Sequence, residues 1–363
     1  MKVRIAGVGA SVPPHIVSNE HLLTLFPGPR RMPWTAADFE AKTGIRERRF
    51  SVELDLATGY PILPPGYGEP PGPAGLLAEG AVLEALATAN TDPTELDALI
   101  YGSATPDRIR FGDDAQLLHH RLGMRPDAPV VHIDVGCGGS IFGLQWAKEM
   151  ILSGVRRRVA VVMVQVVSPA LNREIYSGAL DYDGRTNEAF LTALLFGDGA
   201  GAVVLERAED GESEMLAAVA RNEHFEIAVQ EGGGNLRPPG SASASDFAVH
   251  ILGKRVADAY APVLRGSIEE ALAQADYGID AIGRFYFHQS NLRLVDQLTE
   301  ELGADPARVA INVDRYGNTS GASTLILLAE EVRSGMVALG SGVPVVLAAV
   351  GANLQYGAHV LRL

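Results

Sequence analysis

Two rhythms of apolar and polar positions alternate along this chain. Residues 2–5, 98–101, 130–135, 159–164 and 200–205 form short runs weighted toward apolar and β-branched side chains, which read as buried strands. Between them, residues 75–90, 115–122 and 138–153 have the spacing of helices. In the last of these, Ile141, Leu144, Trp146, Met150 and Ile151 recur at helical intervals, and Gly154 is a stop signal. A second series follows: a helix at about 246–274, a strand at 284–287, helices at 292–302 and 323–334, and strands at 343–349 and 359–363. The pattern predicts an α/β chain whose two series resemble each other in order. In each, a strand delivers a reactive side chain at its C-terminal end: Cys137 in one, His288 in the other. This reads as a structural duplication with halves at 1–210 and 211–363, each a sheet-and-helix layer. Residues 51–73, with six prolines and several glycines, and residues 232–245, rich in Gly, Ser and Pro, read as long loops.

Composition narrows the setting. The chain has 363 residues, 47% hydrophobic and 20% charged, which is ample for a large core. No apolar stretch reaches the roughly 18 residues needed to span a bilayer. Met1-Lys-Val-Arg-Ile-Ala-Gly7 reads as a strand, not as the apolar region of a signal peptide. A single cysteine forms no internal disulfide, which points to a reducing, cytoplasmic compartment. The net charge of -14 disfavours nucleic acid and anionic membrane as partners. His119 and His120 with one cysteine make no zinc spacing.

Cys137 lies where a strand runs into a helix, in the string Gly136-Cys137-Gly138-Gly139-Ser140. A thiol in the first turn of a helix feels the positive end of the macrodipole, which lowers its pKa. A buried, inert cysteine is the other reading of the same string. Two further segments weigh on the choice. His288 follows the strand at 284–287, and Asn318 sits in the glycine-bearing turn before the helix at 323–334. A nucleophilic cysteine needs a basic or cationic neighbour and an assisting group, and these two residues supply them. Taken singly, they are equally a structural histidine and a helix cap.

The motifs around these residues are similar to those of the thiolase-like condensing enzymes, specifically the β-ketoacyl-acyl carrier protein synthase III type. The similarity rests on Thr43-Gly-Ile-Arg-Glu-Arg-Arg49, Asp134-Val-Gly-Cys137, Phe196-Gly-Asp-Gly-Ala-Gly-Ala-Val203, His288-Gln-Ser-Asn-Leu-Arg293 and Gly317-Asn-Thr-Ser-Gly-Ala-Ser323, and runs nearly end to end. It implies a five-layered αβαβα fold, a homodimer, and a Cys137–His288–Asn318 triad. It assigns the 196–203 motif to a strand pairing the two halves. By this resemblance Cys137 takes an acyl group from a thioester, with the Cys137 and Ala352 N–H groups as the oxyanion hole. A malonyl-type thioester then loses carbon dioxide and attacks the acyl group.

The resemblance also implies substrate contacts. Phe111 would close the partner's acyl pocket across the dimer interface. Asn353, in a loop that carries glycines in relatives, would narrow or polarise the pocket beside the thiol. Lys42, Arg46 and Arg48 fall near the coenzyme A site of relatives, with Arg46 and Arg48 open to a structural role as well. Asn291 and Arg293 open the helix that meets the carrier protein, where Glu300 and Glu301 replace the usual basic pair. Substrates would arrive as coenzyme A or acyl carrier protein thioesters, with no bound cofactor. The departures favour specialised biosynthesis, polyketide or related, over fatty-acid initiation. The alternative is an acyltransferase that forms an ester or amide without a carbon–carbon bond.

Overall fold

A computed structural model describes residues 1–27, 34–109, 113–176, 180–182, 185–187, 189–208, 211, 213–224 and 227–363. Its first sheet takes strands β1 (Lys2–Ser11), β2 (Ala98–Gly102), β3 (Val130–Ile133), β4 (Arg158–Gln165) and β5 (Gly199–Ala208), in the spatial order β1-β5-β4-β2-β3. The second takes β6 (Glu214–Asn222), β7 (Arg284–Phe287), β8 (Pro344–Val350) and β9 (Gln355–Arg362), in the order β6-β9-β8-β7. Within each sheet, the first and penultimate strands run antiparallel to the last one, which lies between them. The penultimate strand in turn pairs in parallel with the second: β4 with β2, and β8 with β7. The duplicated order is thus visible as repeated topology, with β3 added at one edge.

Helices α1 (Ala36–Thr43), α2 (Pro73–Thr88), α3 (Asp114–Arg121), α4 (Gly139–Leu152), α5 (Ala189–Leu195), α6 (Gly253–Ala275), α7 (Leu292–Leu302) and α8 (Ser323–Arg333) complete the fold. Helices α4 and α8 form the middle layer, each packed against both sheets in one shared core. That position explains α8: Ser323 through Ala329 are all buried, because apolar surface covers every side of the helix. Helices α2 and α3 cover the outer face of the first sheet, and α6 and α7 that of the second. Helix α7 has the one-sided pattern of an outer helix, burying Val295 and Leu298 while Arg293, Asp296 and Glu300 stay exposed. Among the described residues no helix is long and apolar enough to cross a membrane.

Several expected boundaries shift. Helix α6 begins at Gly253, not near Asp246, because Ala244–Phe247 is a 3-10 turn and His250–Ile251 pairs as a short strand with Ala228–Val229. Strand β6 has no counterpart in the expected series; its alanine-rich sequence is a weak strand signal, and pairing with β9 makes it one. Strand β9 starts at Gln355, four residues before the expected His359. The 51–73 loop contains a small hairpin, Glu53–Leu54 against Pro61–Ile62. The 196–203 motif does not pair the two sheets. Its strand lies inside the first sheet, and the motif reaches the second half through a bridge at Phe196–Asn318 and through packing against α8.

Two buried polar groups tie the layers together. Asp198 accepts N–H bonds from Ser51, Val167 and Ser168 and the Ser168 hydroxyl, at 2.6–3.2 Å, and so anchors the segment that leaves β4. His359 on β9 lies 2.9 Å from the Ile141 carbonyl through Nε2, which fixes α4 to the second sheet. Burial pushes the His359 imidazole down to about 4 from 6.5. The unfolded chain therefore binds a proton here that the folded chain refuses between about pH 6.5 and 4. Stability should fall as pH drops through that window and be unaffected by this group above it. His359→Gln should flatten the acid limb by about 1.4 kcal/mol per pH unit. Urea unfolding of both proteins at pH 7.5 and pH 5 measures it; parallel pH dependence would show that another group controls the limb.

Candidate active site

The turn that carries Cys137 connects β3 to α4. It closes through the Gly139 N–H to the Gly136 carbonyl at 2.9 Å. Backbone from the second half lies against both faces of this turn. A Cβ at Gly138 would stand 2.5 Å from the Gln355 carbonyl oxygen, and one at Gly321 would stand 2.9 Å from that of Gly136. No side chain fits at either contact. The β8–β9 hairpin loop and the turn before α8 therefore meet the nucleophile turn directly.

Each remaining group is held by its own backbone. His288 follows β7; its N–H donates to Ala348 at 2.8 Å, and its carbonyl accepts from the Tyr260 hydroxyl at 2.6 Å. Asn318 is pinned by its N–H to Leu195 at 2.8 Å and by the Gly197 N–H to its carbonyl at 3.1 Å. Its side-chain oxygen accepts the Ser320 N–H at 2.8 Å, which turns the amide nitrogen outward. Cys137, His288, Asn318 and Ser320 all line one cavity of about 610 Å³.

The electrostatics differ from the simple helix-dipole expectation. Burial pushes the Cys137 thiol above its ordinary pKa, and hydrogen bonds from Ser320 and Asn318 offset this in part. The helix begins at Gly139 with Gly138 as its cap, so the sulfur stands just ahead of the first turn rather than within it. The Ser320 hydroxyl donates to the sulfur at 3.5 Å from a backbone at φ +52°. Burial drives His288 down to about 3, so the imidazole is neutral at ordinary pH. Its Nδ1 lies 2.8 Å from the Ser323 hydroxyl oxygen, which already accepts the Gln289 N–H at 3.3 Å. The hydroxyl can donate its hydrogen to Nδ1, and the Ser320 backbone carbonyl favours an imidazole N–H on the other nitrogen, so the proton is assigned to Nε2.

The other expected residues scatter. Ala352 and Asn353 line the same cavity in the hairpin loop, with Asn353 left-handed at φ +57°. Among the described residues, neither the Cys137 nor the Ala352 N–H donates to a protein oxygen. Asn291 lines the cavity and also caps α7, accepting the Arg293 N–H at 2.8 Å. Arg46 and Arg293 lie in a separate surface groove beside the start of α7, where Arg46 pairs with Asp314 at 2.5 Å. Lys42 is exposed and stacks over the Trp34 ring at 4.3 Å. The expected substrate contact of Arg48 is corrected: its guanidinium is fully buried and bonded to Val17, Asn19 and Leu194, out of reach of any ligand. Phe111 lies outside the described residues. Ser320 and Ser323 carried no role in the sequence reading, although both stand inside the Gly317–Ser323 motif.

Models of the 3-oxoacyl-[acyl-carrier-protein] synthase III family match residues 131–223, and for its C-terminal part residues 272–363. The β-ketoacyl-[acyl-carrier-protein] synthase III of Gloeobacter violaceus is 32% identical, over 99% of this chain and 98% of its own. The chain belongs to the β-ketoacyl-acyl carrier protein synthase III family. As a family member it is an acyltransferase of the condensing type with a thiolase-like fold. The synthase III of Aquifex aeolicus is similar in structure, with TM-score 0.78 and 28% identity over 99% of this chain and 100% of that one. The priming β-ketosynthase of a polyketide pathway follows at TM-score 0.75 and 26% identity, over 99% and 96% of the two chains.

In this synthase III chain Ser323 stands 2.8 Å from His288 Nδ1, where its hydroxyl is placed to set the imidazole tautomer. Ser323→Ala should leave the imidazole as mixed tautomers and lower carbon dioxide release from a malonyl thioester by about tenfold. Nitrogen NMR of labelled histidine reads the tautomer directly, and Ser323→Thr should restore it. An unchanged Nε2–H signal in the alanine variant would show that Ser323 only packs.

Proposed function

We infer that the protein acylates itself on Cys137 from an acyl thioester and condenses that group with a malonyl-type thioester, with loss of carbon dioxide. One arrangement carries the reading: the His288 imidazole and the neutral Asn318 amide line the cavity together with Cys137. Burial lowers His288 well below the ordinary imidazole range, which weakens it as a base toward an alcohol or amine. As a hydrogen-bond donor through Nε2, the same imidazole suits an oxygen that becomes negative.

The steps follow from the donors at hand. The Cys137 sulfur attacks the thioester carbonyl, whose oxygen receives the Cys137 and Ala352 N–H groups. The carrier thiolate departs and takes up the sulfur's proton. A malonyl thioester then enters and loses carbon dioxide. Its carbonyl oxygen gains enolate charge beside the His288 imidazole and the Asn318 amide, and its carbon attacks the acyl group. The Cys137 sulfur leaves as thiolate and takes a proton from solvent, which restores the thiol. Bidentate neutral donors stabilise an enolate without opposing it, whereas a carboxylate at position 318 would repel it.

The setting we infer is specialised biosynthesis, with acyl groups larger than acetyl. The cavity of about 610 Å³ has a largely apolar wall, which suits an acyl group longer than acetyl. Glu300 and Glu301 stand exposed on α7, against docking of an acidic carrier protein on that face. Likeness to a polyketide priming β-ketosynthase supports the same setting. Coenzyme A or carrier protein thioesters are the substrates on this reading, and the chain works as a homodimer. The open edge of β3, with Val131 exposed, supports that assembly. A second reading, ester or amide formation, has one observation in its favour. Asp134 lines the cavity as the sole carboxylate among its described lining residues.

Cys137→Ala should give no acyl adduct by intact mass with any thioester. Asn318→Asp should retain self-acylation while its carbon dioxide release falls about a hundredfold. Equal losses in both half-reactions would remove the enolate role from Asn318. On pre-acylated protein, carbon dioxide release should show no limb near pH 6.5, since His288 titrates at about 3. Acyl transfer to a hydroxyl or amine with no carbon dioxide would favour the second reading.

A further inference from the structure

Most of the cavity wall away from Cys137 is apolar, contributed by residues such as Val167, Leu171, Leu195 and Val249. Two polar side chains interrupt it. Gln165 ends β4 and Thr192 lies on α5, and each is only 4% exposed. Three other polar side chains in the wall are already engaged, whereas the Ser290 hydroxyl also lines the cavity without a partner among the described residues. The Thr105 hydroxyl accepts the Val166 N–H at 2.9 Å, Asn291 caps α7, and Asn318 holds Ser320. Among the described residues, neither the Gln165 carboxamide nor the Thr192 hydroxyl has a hydrogen-bond partner, and neither is sealed away from the cavity. Facing the cavity, both groups are within reach of water, and displacing that water without a replacement partner is costly. A purely hydrocarbon acyl group would desolvate both and satisfy neither.

We propose that the acyl group loaded on Cys137 carries an oxygen substituent, a hydroxyl or a carbonyl, that Gln165 and Thr192 receive. The inference rests on the reading of Cys137 as the acylated nucleophile and of this cavity as the acyl chamber. The carboxamide offers an N–H donor and a carbonyl acceptor, and the hydroxyl offers one of each. Each can thus serve a hydroxyl in either direction or a ketone as a donor. A site built to bond a substrate oxygen rejects the analogue that lacks it, because its own polar groups then go unpaired.

The test compares chain-matched coenzyme A thioesters: unsubstituted, hydroxylated at successive carbons, and oxidised to the ketone at the same carbons. Intact mass of the wild-type protein against time gives the rate of Cys137 acylation for each. At least one oxygenated thioester should outpace the unsubstituted chain by about tenfold or more. Gln165→Leu and Thr192→Val, close in shape to the originals, should each lower that rate and raise the rate with the unsubstituted chain. Whether the hydroxyl or the ketone leads identifies the oxygen. Acylation in which no oxygenated thioester leads overturns the proposal and leaves the Cys137 reading intact. A preference that survives in both variants also overturns it. The absence of any adduct with every thioester overturns the Cys137 reading and this proposal with it.

Discussion

The nucleophile turn is gripped by backbone on two sides, and the rest of the site depends on that grip. Gly138 lies against the Gln355 carbonyl and Gly321 against the Gly136 carbonyl, at separations that exclude even a methyl group. The two contacts come from different parts of the second half: the β8–β9 hairpin and the turn before α8. Their meeting sets where the Cys137 sulfur, the Ala352 N–H and the Ser320 hydroxyl stand relative to one another. It also explains why Ser320 holds a left-handed φ of +52°, a conformation that costs an L-residue about 1–2 kcal/mol. Bonds from the Ser320 N–H to Asn318 and from its hydroxyl to Cys137 offset that cost. Glycine at the contacts and strain at the donor are two consequences of one close approach.

The elements that make the contacts were legible; the contacts were not. A β-branched run, a cysteine among glycines and a helical stretch are local signals, and they located Cys137, His288 and Asn318 at the ends of the right elements. Ser323 bonds a side chain 35 residues away, and Ser320 one 183 residues away. Nothing in the immediate neighbourhood of either serine marks such a partner. Arg48 and Arg49 stand adjacent in the strand Glu47–Phe50, and alternation sends one inward with Phe50. Without knowing which face meets the core, either arginine fits a substrate contact. The thiol's environment was misjudged for a similar reason: the dipole is a property of the helix and can be read locally, while burial is a property of the whole fold.

That burial shapes the chemistry of every group in the site. It raises the Cys137 thiol and holds His288 neutral. A neutral imidazole, a carboxamide and two amides form a set of donors without a strong base among them. In a cavity of low polarity such donors matter most where charge appears during reaction, because little water competes for it. On the proposed reading, the burial that weakens His288 as a base suits it to donate to a developing oxyanion. Ser323 is what converts neutrality into direction, since a neutral imidazole can present either a proton or a lone pair to the cavity.

Chemistry and selectivity come from different parts of the chain. The reacting groups stand at strand–helix junctions around the middle layer, where both sheets and the shared core restrain them. Much of the chamber wall comes from connections: Val167 and Thr192 from the segment between β4 and β5, Ile227 and Val249 from that between β6 and α6. Those connections are secured at a few points, such as Asp198 beneath Ser168 and Arg48 beneath Leu194. A substitution on the chamber side of Thr192 alters what the cavity receives without touching the Gly138 or Gly321 contacts. The sheet-embedded Gln165 is the exception, for it joins the wall directly to β4. A polar side chain on the strand and another on α5 give the chamber two polar points from separate elements.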